Sequence, residues 1–147
     1  SKGLGAPVGS MLAGPADVMD EAWRVRRRFG GGMRQSGILA AAGLHALEHH
    51  RTGLVETHAR ARELADAFDA LDGFSAVAPE TNVLLVDLAP EAGDVDEFLG
   101  FLRFHRILML EFAPRRLRAV LHRDVDSSGM ARVLAALARW ARGDGGV

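Results

Sequence analysis

Lys2 is the residue whose type stands out chemically in this chain. The sequence holds 18 lysines and arginines, and Lys2 is the single lysine among them. In a chain rich in Ala, Gly and Arg, generic positive charge has drifted to arginine. A retained lysine then points to work that a guanidinium cannot do. An amine can lose its proton and condense with a carbonyl; a guanidinium, with its very high pKa, cannot. The plain alternative is a solvated lysine with no role. Lys2 sits in Ser1-Lys2-Gly3-Leu4-Gly5-Ala6-Pro7-Val8-Gly9-Ser10. Its glycines permit close backbone approach and positive φ. A lysine on such a turn can reach a partly desolvated crevice, which favours the amine that imine formation needs. The spacing is not a dinucleotide fingerprint. After Gly3-x-Gly5 the next glycine comes one place late, at Gly9, and no strand precedes it in the chain.

Three further constellations could do chemistry. Gly30-Gly31-Gly32-Met33-Arg34-Gln35-Ser36 puts three glycines and an arginine before a helix start. Backbone N–H groups and a guanidinium there suit a phosphate or carboxylate. The competing reading is a helix stop followed by an N-cap. His45-Ala46-Leu47-Glu48-His49 has the H-x-x-E-H spacing of inverted zinc peptidases, with two histidines on one helix face and a glutamate as base. No third ligand follows on a nearby helix, so exposed histidines near a helix C-terminus are the simpler account, and no metal site is expected. Arg118 alternates with Leu117 and Ala119, which turns it away from the apolar side of a strand, on the face of Val120 and His122. It is a surface charge or a carboxylate clamp. Arg115 and Arg116 fall in the preceding turn and read as solvated.

These residues need elements to hold them. A chain of 147 residues supports one domain with a real core and is short for two. Hydrophobics at 48% and charged residues at 25% fit a soluble globular chain. A net charge of −1 argues against nucleic acid as an electrostatic partner. No apolar run is long enough to span a membrane. The absence of cysteine removes disulfides, thiolate nucleophiles and Cys-ligated zinc, and a reducing cytoplasm is the simplest compartment. The start at Ser1, with no signal pattern and no Met, reads as an excised or truncated piece.

The pattern predicts a turn at Lys2, a short buried strand over Val8 to Ala13, and a helix from about Ala16 to Arg28 with Val18, Met19, Ala22, Trp23 and Val25 on its apolar side. A helix apolar nearly all round follows from Ser36 to about His50, which implies burial or an interface. A long amphipathic helix runs from Leu54 to about Leu71. The period then changes: Phe74 to Ala78 and Val83 to Leu88 read as strands. Asp94 and Glu97 form a capping box for a helix from Val95 to about Arg106. Ile107 to Phe112 and Leu117 to His122 read as a second strand pair. Ser127 or Ser128 caps a last helix, and Arg142 to Val147 reads as a frayed tail. Residues 1–52 therefore look like a remnant of a larger sheet domain, and residues 53–147 like a small α+β domain.

Taken together, two long stretches, SKGLGAPVGSMLAG from Ser1 and GGGMRQSGILAAAGLHAL from Gly30, resemble the L-threonine aldolase family. Weaker echoes are Thr81-Asn82 before a strand and Arg118 to Asp124. The resemblance covers nearly the whole chain. It implies an α/β fold: part of an aspartate-aminotransferase-like, pyridoxal-phosphate-dependent architecture, comprising the end of the large sheet domain plus the small α+β domain. It makes Lys2 the catalytic lysine that covalently holds pyridoxal 5'-phosphate. It puts Arg34 at the cofactor phosphate, across a dimer interface, and Arg118 at the α-carboxylate of the substrate. Arg27 stands where relatives can have lysine near the site entrance. The implied reaction is retro-aldol cleavage of L-threonine or L-allo-threonine, a small amino acid substrate, to glycine and acetaldehyde by a homodimer or homotetramer. Family members are longer. Their phosphate-binding turn, ring-stacking histidine and pyridinium-pairing aspartate would lie before Ser1, so the isolated chain is expected to be inactive. The alternatives are another lyase or transferase of the same fold acting on a β-hydroxy amino acid, or a non-catalytic fragment.

Overall fold

The computed structural model describes residues 2–144. Ser1 as a start, and the last residues of the proposed frayed tail, lie outside the described residues. The core is built where the sequence period is cleanest. The helix α3 (Leu54–Asp69) turns Ala61, Leu64, Ala65 and Phe68 inward at three- and four-residue spacing, and all four are buried. They face a four-stranded antiparallel sheet of β1 (Phe74–Val77), β2 (Val83–Leu88), β3 (Leu110–Ala113) and β4 (Arg116–Val120), in the order β1-β2-β4-β3. Alternation in β2 buries Leu84, Val86 and Leu88; alternation in β4 buries Leu117 and Ala119. Two more helices, α4 (Val95–Phe104) and α5 (Ser127–Ala141), complete the same apolar layer. Phe98 of α4 joins them, its ring lying 4.9 Å from both Phe74 and Trp140 and 6.3 Å from Phe68. The result is a two-layer α/β unit with helices on one sheet face and the other face open.

Local chemistry sets the ends. Asp94 caps α4 by accepting the Glu97 N–H at 3.0 Å. The cap of α5 is Asp126, not Ser127 or Ser128. One oxygen of Asp126 accepts both the Gly129 N–H at 2.8 Å and the Ser128 hydroxyl at 2.7 Å. These bonds, led by the Ser128 hydroxyl, hold the Asp126 carboxyl below the ordinary aspartate range. The strand predicted from Ile107 begins at Leu110, because Ile107 instead donates its N–H to Leu102 O at 2.9 Å, closing the end of α4.

The first fifty residues depart most from expectation. Helix α1 (Ala16–Arg28) forms at the predicted bounds, yet none of its residues is buried. Helix α2 (Gly37–His49) buries only Ala46, and Ile38, Leu44 and Leu47 are exposed. Residues 8–13 form no strand, and Val8, Met11 and Leu12 are exposed. A strand exists through hydrogen bonds to a neighbour, and none of the four strands lies beside this segment.

Arg115 and Arg116 are not free in solvent; both are engaged by the sheet and its loops. Arg115 donates to the carbonyls of Leu88, Ala89 and Gly93 at 2.9, 2.5 and 3.0 Å. Arg116 and Asp87 are cross-strand partners, joined by two bonds at 2.6 and 2.8 Å. The hydrogen bonds from Arg116 hold the Asp87 carboxyl below its ordinary value of about 3.9. A carboxyl whose pKa is depressed on folding contributes stability above its unfolded pKa and loses it as pH falls through the folded pKa. Asp87→Asn should therefore lower the melting temperature near neutral pH. The difference from wild type should start to shrink as pH falls below the ordinary aspartate value and vanish below the depressed value of the folded state. The neutral-pH effect should be small, because both side chains are about two-fifths exposed. Thermal melts from pH 7 to strong acid check this.

Candidate functional site

The Lys2 turn is a short 3-10 helix, Lys2–Leu4, closed by the Gly5 N–H donating to Lys2 O at 2.9 Å. Lys2 has a φ of +23°, in the left-handed region that non-glycine residues avoid. Gly5 also sits there, at +66°. The glycines are needed for contact as well. A Cβ on Gly3 would meet Leu54 Cδ2 at 2.8 Å, and one on Gly5 would meet Arg123 Cδ at 2.9 Å. The turn thus lies directly on the start of α3 and on the loop after β4. His50, just past α2, donates its Nδ1–H to the Leu4 carbonyl at 2.7 Å.

The loop after β4 is fixed in turn. Asn82 donates its side-chain amide to Leu121 O at 2.5 Å, and Leu121 N–H donates to Asn82 O at 2.9 Å. Arg60 of α3 donates to Val125 O at 2.7 Å. Between these anchors lies a cleft of about 350 Å³ lined by Lys2, Gly5, Ala6, His122, Arg123 and Asp124. Inside the loop, the Asp124 N–H donates to His122 Nδ1 at 3.3 Å. A neighbouring recess of about 290 Å³ shares His122 and Asp124 and is lined by Leu64, Met109, Leu121 and Met130 among others. Lys2 itself is exposed on the rim of its cleft, not sunk in a desolvated crevice, because its turn rests on the surface of α3 and the loop.

Arg118 stands in mid-β4, opposite Leu85 of β2 and Leu110 of β3. It is half-buried on the open sheet face, while Leu117 and Ala119 are buried on the other. Among the described residues it has no hydrogen-bond or ion-pair partner. Its strand runs directly into the loop whose residues His122, Arg123 and Asp124 line the Lys2 cleft.

Arg34 is not brought to Lys2. It lies exposed in the turn before α2, away from the residues lining the cleft. The glycine amides beside it are already engaged. Gly30 N–H donates to Arg27 O at 3.0 Å, Gly31 N–H to Arg26 O at 2.8 Å, and Gly32 N–H to Gly30 O at 2.8 Å. They close the end of α1 and cradle no anion, which leaves the Arg34 guanidinium as the group able to meet one. Arg27 is exposed on α1. The rings of His45 and His49 lie with centroids 4.5 Å apart and planes tilted by 50°, and Glu48 lies 3.8 Å from His49. Among the described residues no three His, Asp or Glu side chains are grouped to hold a metal ion, so the H-x-x-E-H reading gains no third ligand. No described helix is long and apolar enough to cross a membrane. The residues that sequence reading missed are His50, Asn82, Arg60 and Arg123. Of these, Asn82 left a trace in the Thr81-Asn82 pair ahead of β2, and Arg123 in the stretch from Arg118 to Asp124.

Comparison with known proteins identifies the family and the fold. Residues 1–91 match the family model described as beta-eliminating lyase. The low specificity L-threonine aldolase of Escherichia coli K12 is 40% identical over 136 residues, covering 92% of this chain and 39% of the aldolase. Low-specificity L-threonine aldolase 1 of Arabidopsis thaliana is 36% identical, over 92% of this chain and 38% of the relative. In fold, the chain is similar to a crystal structure described as an L-allo-threonine aldolase of Listeria monocytogenes EGD-E. The TM-score is 0.66 at 20% identity, over 95% of this chain and 42% of that one. This chain spans 34–39% of the length of the first curated relatives it matches.

Proposed function

The chain belongs to the beta-eliminating lyase family, and from that premise we propose that it supplies the lysine-bearing part and the small domain of a pyridoxal 5'-phosphate-dependent aldehyde-lyase. In this reading residues 1–52 belong to the large cofactor-binding domain and residues 53–147 form the small domain. The substrate is L-threonine or L-allo-threonine, and the products are glycine and acetaldehyde. The whole protein is a cytoplasmic homodimer or homotetramer.

The observation that carries this reading is the chain's single lysine, held at φ +23° on a glycine turn that shares one cleft with the continuation of the Arg118 strand. The donor set suits pyridoxal phosphate. Lys2 brings an exposed primary amine able to condense with an aldehyde, and Arg34 brings a guanidinium whose neighbouring amides are already satisfied. Lys2 would hold the cofactor through Nζ, and Arg34, which the chain does not bring to its own Lys2, would meet the phosphate of the cofactor held by a second copy. When bound, the cofactor supplies an electron sink for the charge left on Cα. The chain's own part is positioning. Arg118 would take the substrate α-carboxylate in two parallel N–H···O bonds and so fix which bond of Cα stands ready to break. The clamped Lys2 turn keeps the amine and the Arg118 strand in constant relation.

The full-length protein, incubated with pyridoxal phosphate and L-threonine, should release glycine and acetaldehyde in equal amounts. 2-Oxobutanoate and ammonia as products would instead make it an eliminating lyase. The isolated 147 residues should release no acetaldehyde above background, since they span little more than a third of the aldolases they match. Robust release by the purified chain would refute that.

A further inference from the structure

The strain at Lys2 requires something to maintain it. A lysine at φ +23° persists only where its surroundings over-determine the backbone. Inside the turn, among the described residues, the Gly5 N–H donates to Lys2 O. Leu54 and Arg123 pack against Gly3 and Gly5 but make no directional bond to the turn. Among the described residues, His50 is the one side chain that hydrogen-bonds to it. The root of His50 is itself fixed. Its N–H closes α2 on Ala46 O at 2.9 Å, and its carbonyl accepts the Gly53 N–H at 3.2 Å. Its ring is met edge-on by His45, with centroids 5.2 Å apart.

We propose that His50 is a positioning residue for the Lys2 amine: its Nδ1–H, anchored at the end of α2, holds the Leu4 carbonyl and through it the strained lysine turn. The proposal rests on the reading of Lys2 as the cofactor lysine. His50 touches no reacting atom; it acts through the backbone of residues 2–5. Its effect therefore falls on the orientation of the amine and leaves the carboxylate grip of Arg118 alone.

The geometry selects its own control variants. An asparagine amide can place an N–H near the position of histidine Nδ1, whereas a glutamine amide places one near Nε2. His50→Gln should therefore lose the clamp and His50→Asn should keep it. In the 147-residue chain, amide exchange at Gly5 should speed up about tenfold in His50→Gln and stay within about threefold of wild type in His50→Asn. In the full-length holoenzyme, His50→Gln should lower kcat for L-threonine about tenfold with KM within about twofold, and His50→Asn should restore most of the rate. The proposal is overturned by a His50→Gln enzyme with unchanged kcat, by a loss carried in KM alone, or by a loss that His50→Asn does not recover. It is equally overturned if both variants unfold, since a positioning role leaves the fold intact. A wild-type holoenzyme with neither visible chromophore nor cleavage would sink the Lys2 reading instead. The Gly5 exchange rates would still decide whether His50 holds the turn.

Discussion

Lys2→Arg in the full-length protein should abolish the visible absorption of bound pyridoxal phosphate and lower L-threonine cleavage by on the order of 10³-fold or more. The substitution keeps the positive charge and most of the side-chain length, and it keeps a non-glycine residue at φ +23°. It removes one property: the ability to become a neutral nitrogen nucleophile. The turn should survive the change, because its restraints do not involve the Lys2 side chain. His50 binds the Leu4 carbonyl, Gly5 N–H binds the Lys2 carbonyl, and Leu54 and Arg123 pack on Gly3 and Gly5. Lys2 is exposed, so unfolding free energy should stay within about 0.5 kcal/mol of wild type. A lost chromophore in a protein of unchanged stability isolates the amine as the cause. If colour and turnover both persist, Lys2 is a solvated lysine and the proposed function fails with it.

The parts of this fold legible in the sequence are those whose partners lie within the chain. The stripe of α3 and the alternation of β2 and β4 each describe one face of one layer, and those faces meet one another. The segment from Val8 to Ala13 is the opposite case. Its composition favours a strand, but strand formation depends on a neighbour, which composition does not report. Helix α2 likewise has the sequence of a buried helix, yet it is largely exposed. At α5 the sequence reading put the cap at Ser127 or Ser128, and the structure puts it one place earlier. The choice of Asp126 follows from one carboxylate oxygen serving both Ser128 and Gly129, which only the geometry reveals.

The site divides in the same way. Lys2 stood out as a candidate because it is the single lysine in an arginine-rich chain. Arg118 was legible as facing away from Leu117 and Ala119. His50 and Asn82 were not legible as clamps, because each acts through a backbone carbonyl 46 or 39 residues away, and a carbonyl leaves no mark in a sequence. Arg115 and Arg116 were misread for the same reason. Three carbonyls and the Asp87 carboxylate hold them, none near in sequence.

Arg118→Lys is the other substitution expected to have a large effect. Arg116 and Arg118 lie two residues apart on the same open face of β4, yet they are not equivalent. The fork of Arg116 is filled by the Asp87 carboxylate at 2.6 and 2.8 Å. Arg118 has Leu85 and Leu110 as its cross-strand partners, and neither can accept a hydrogen bond through its side chain. A planar fork flanked by aliphatic side chains is suited to a carboxylate that arrives from outside. Lysine at this position keeps the charge but makes a point contact, so the carboxylate is held less firmly and free to turn about it. The full-length Arg118→Lys enzyme should keep its chromophore, because Lys2 is untouched. Its kcat/KM for L-threonine should fall about 10²- to 10³-fold, with the rise in KM a major part of that loss. Arg116→Lys is the internal control. It should weaken the Asp87 pair, lower the melting temperature only slightly, and leave kcat/KM within about threefold. Were the two variants to lose activity equally, the open sheet face would act only through its net charge. An unchanged kcat/KM in Arg118→Lys would show that the α-carboxylate is bound elsewhere.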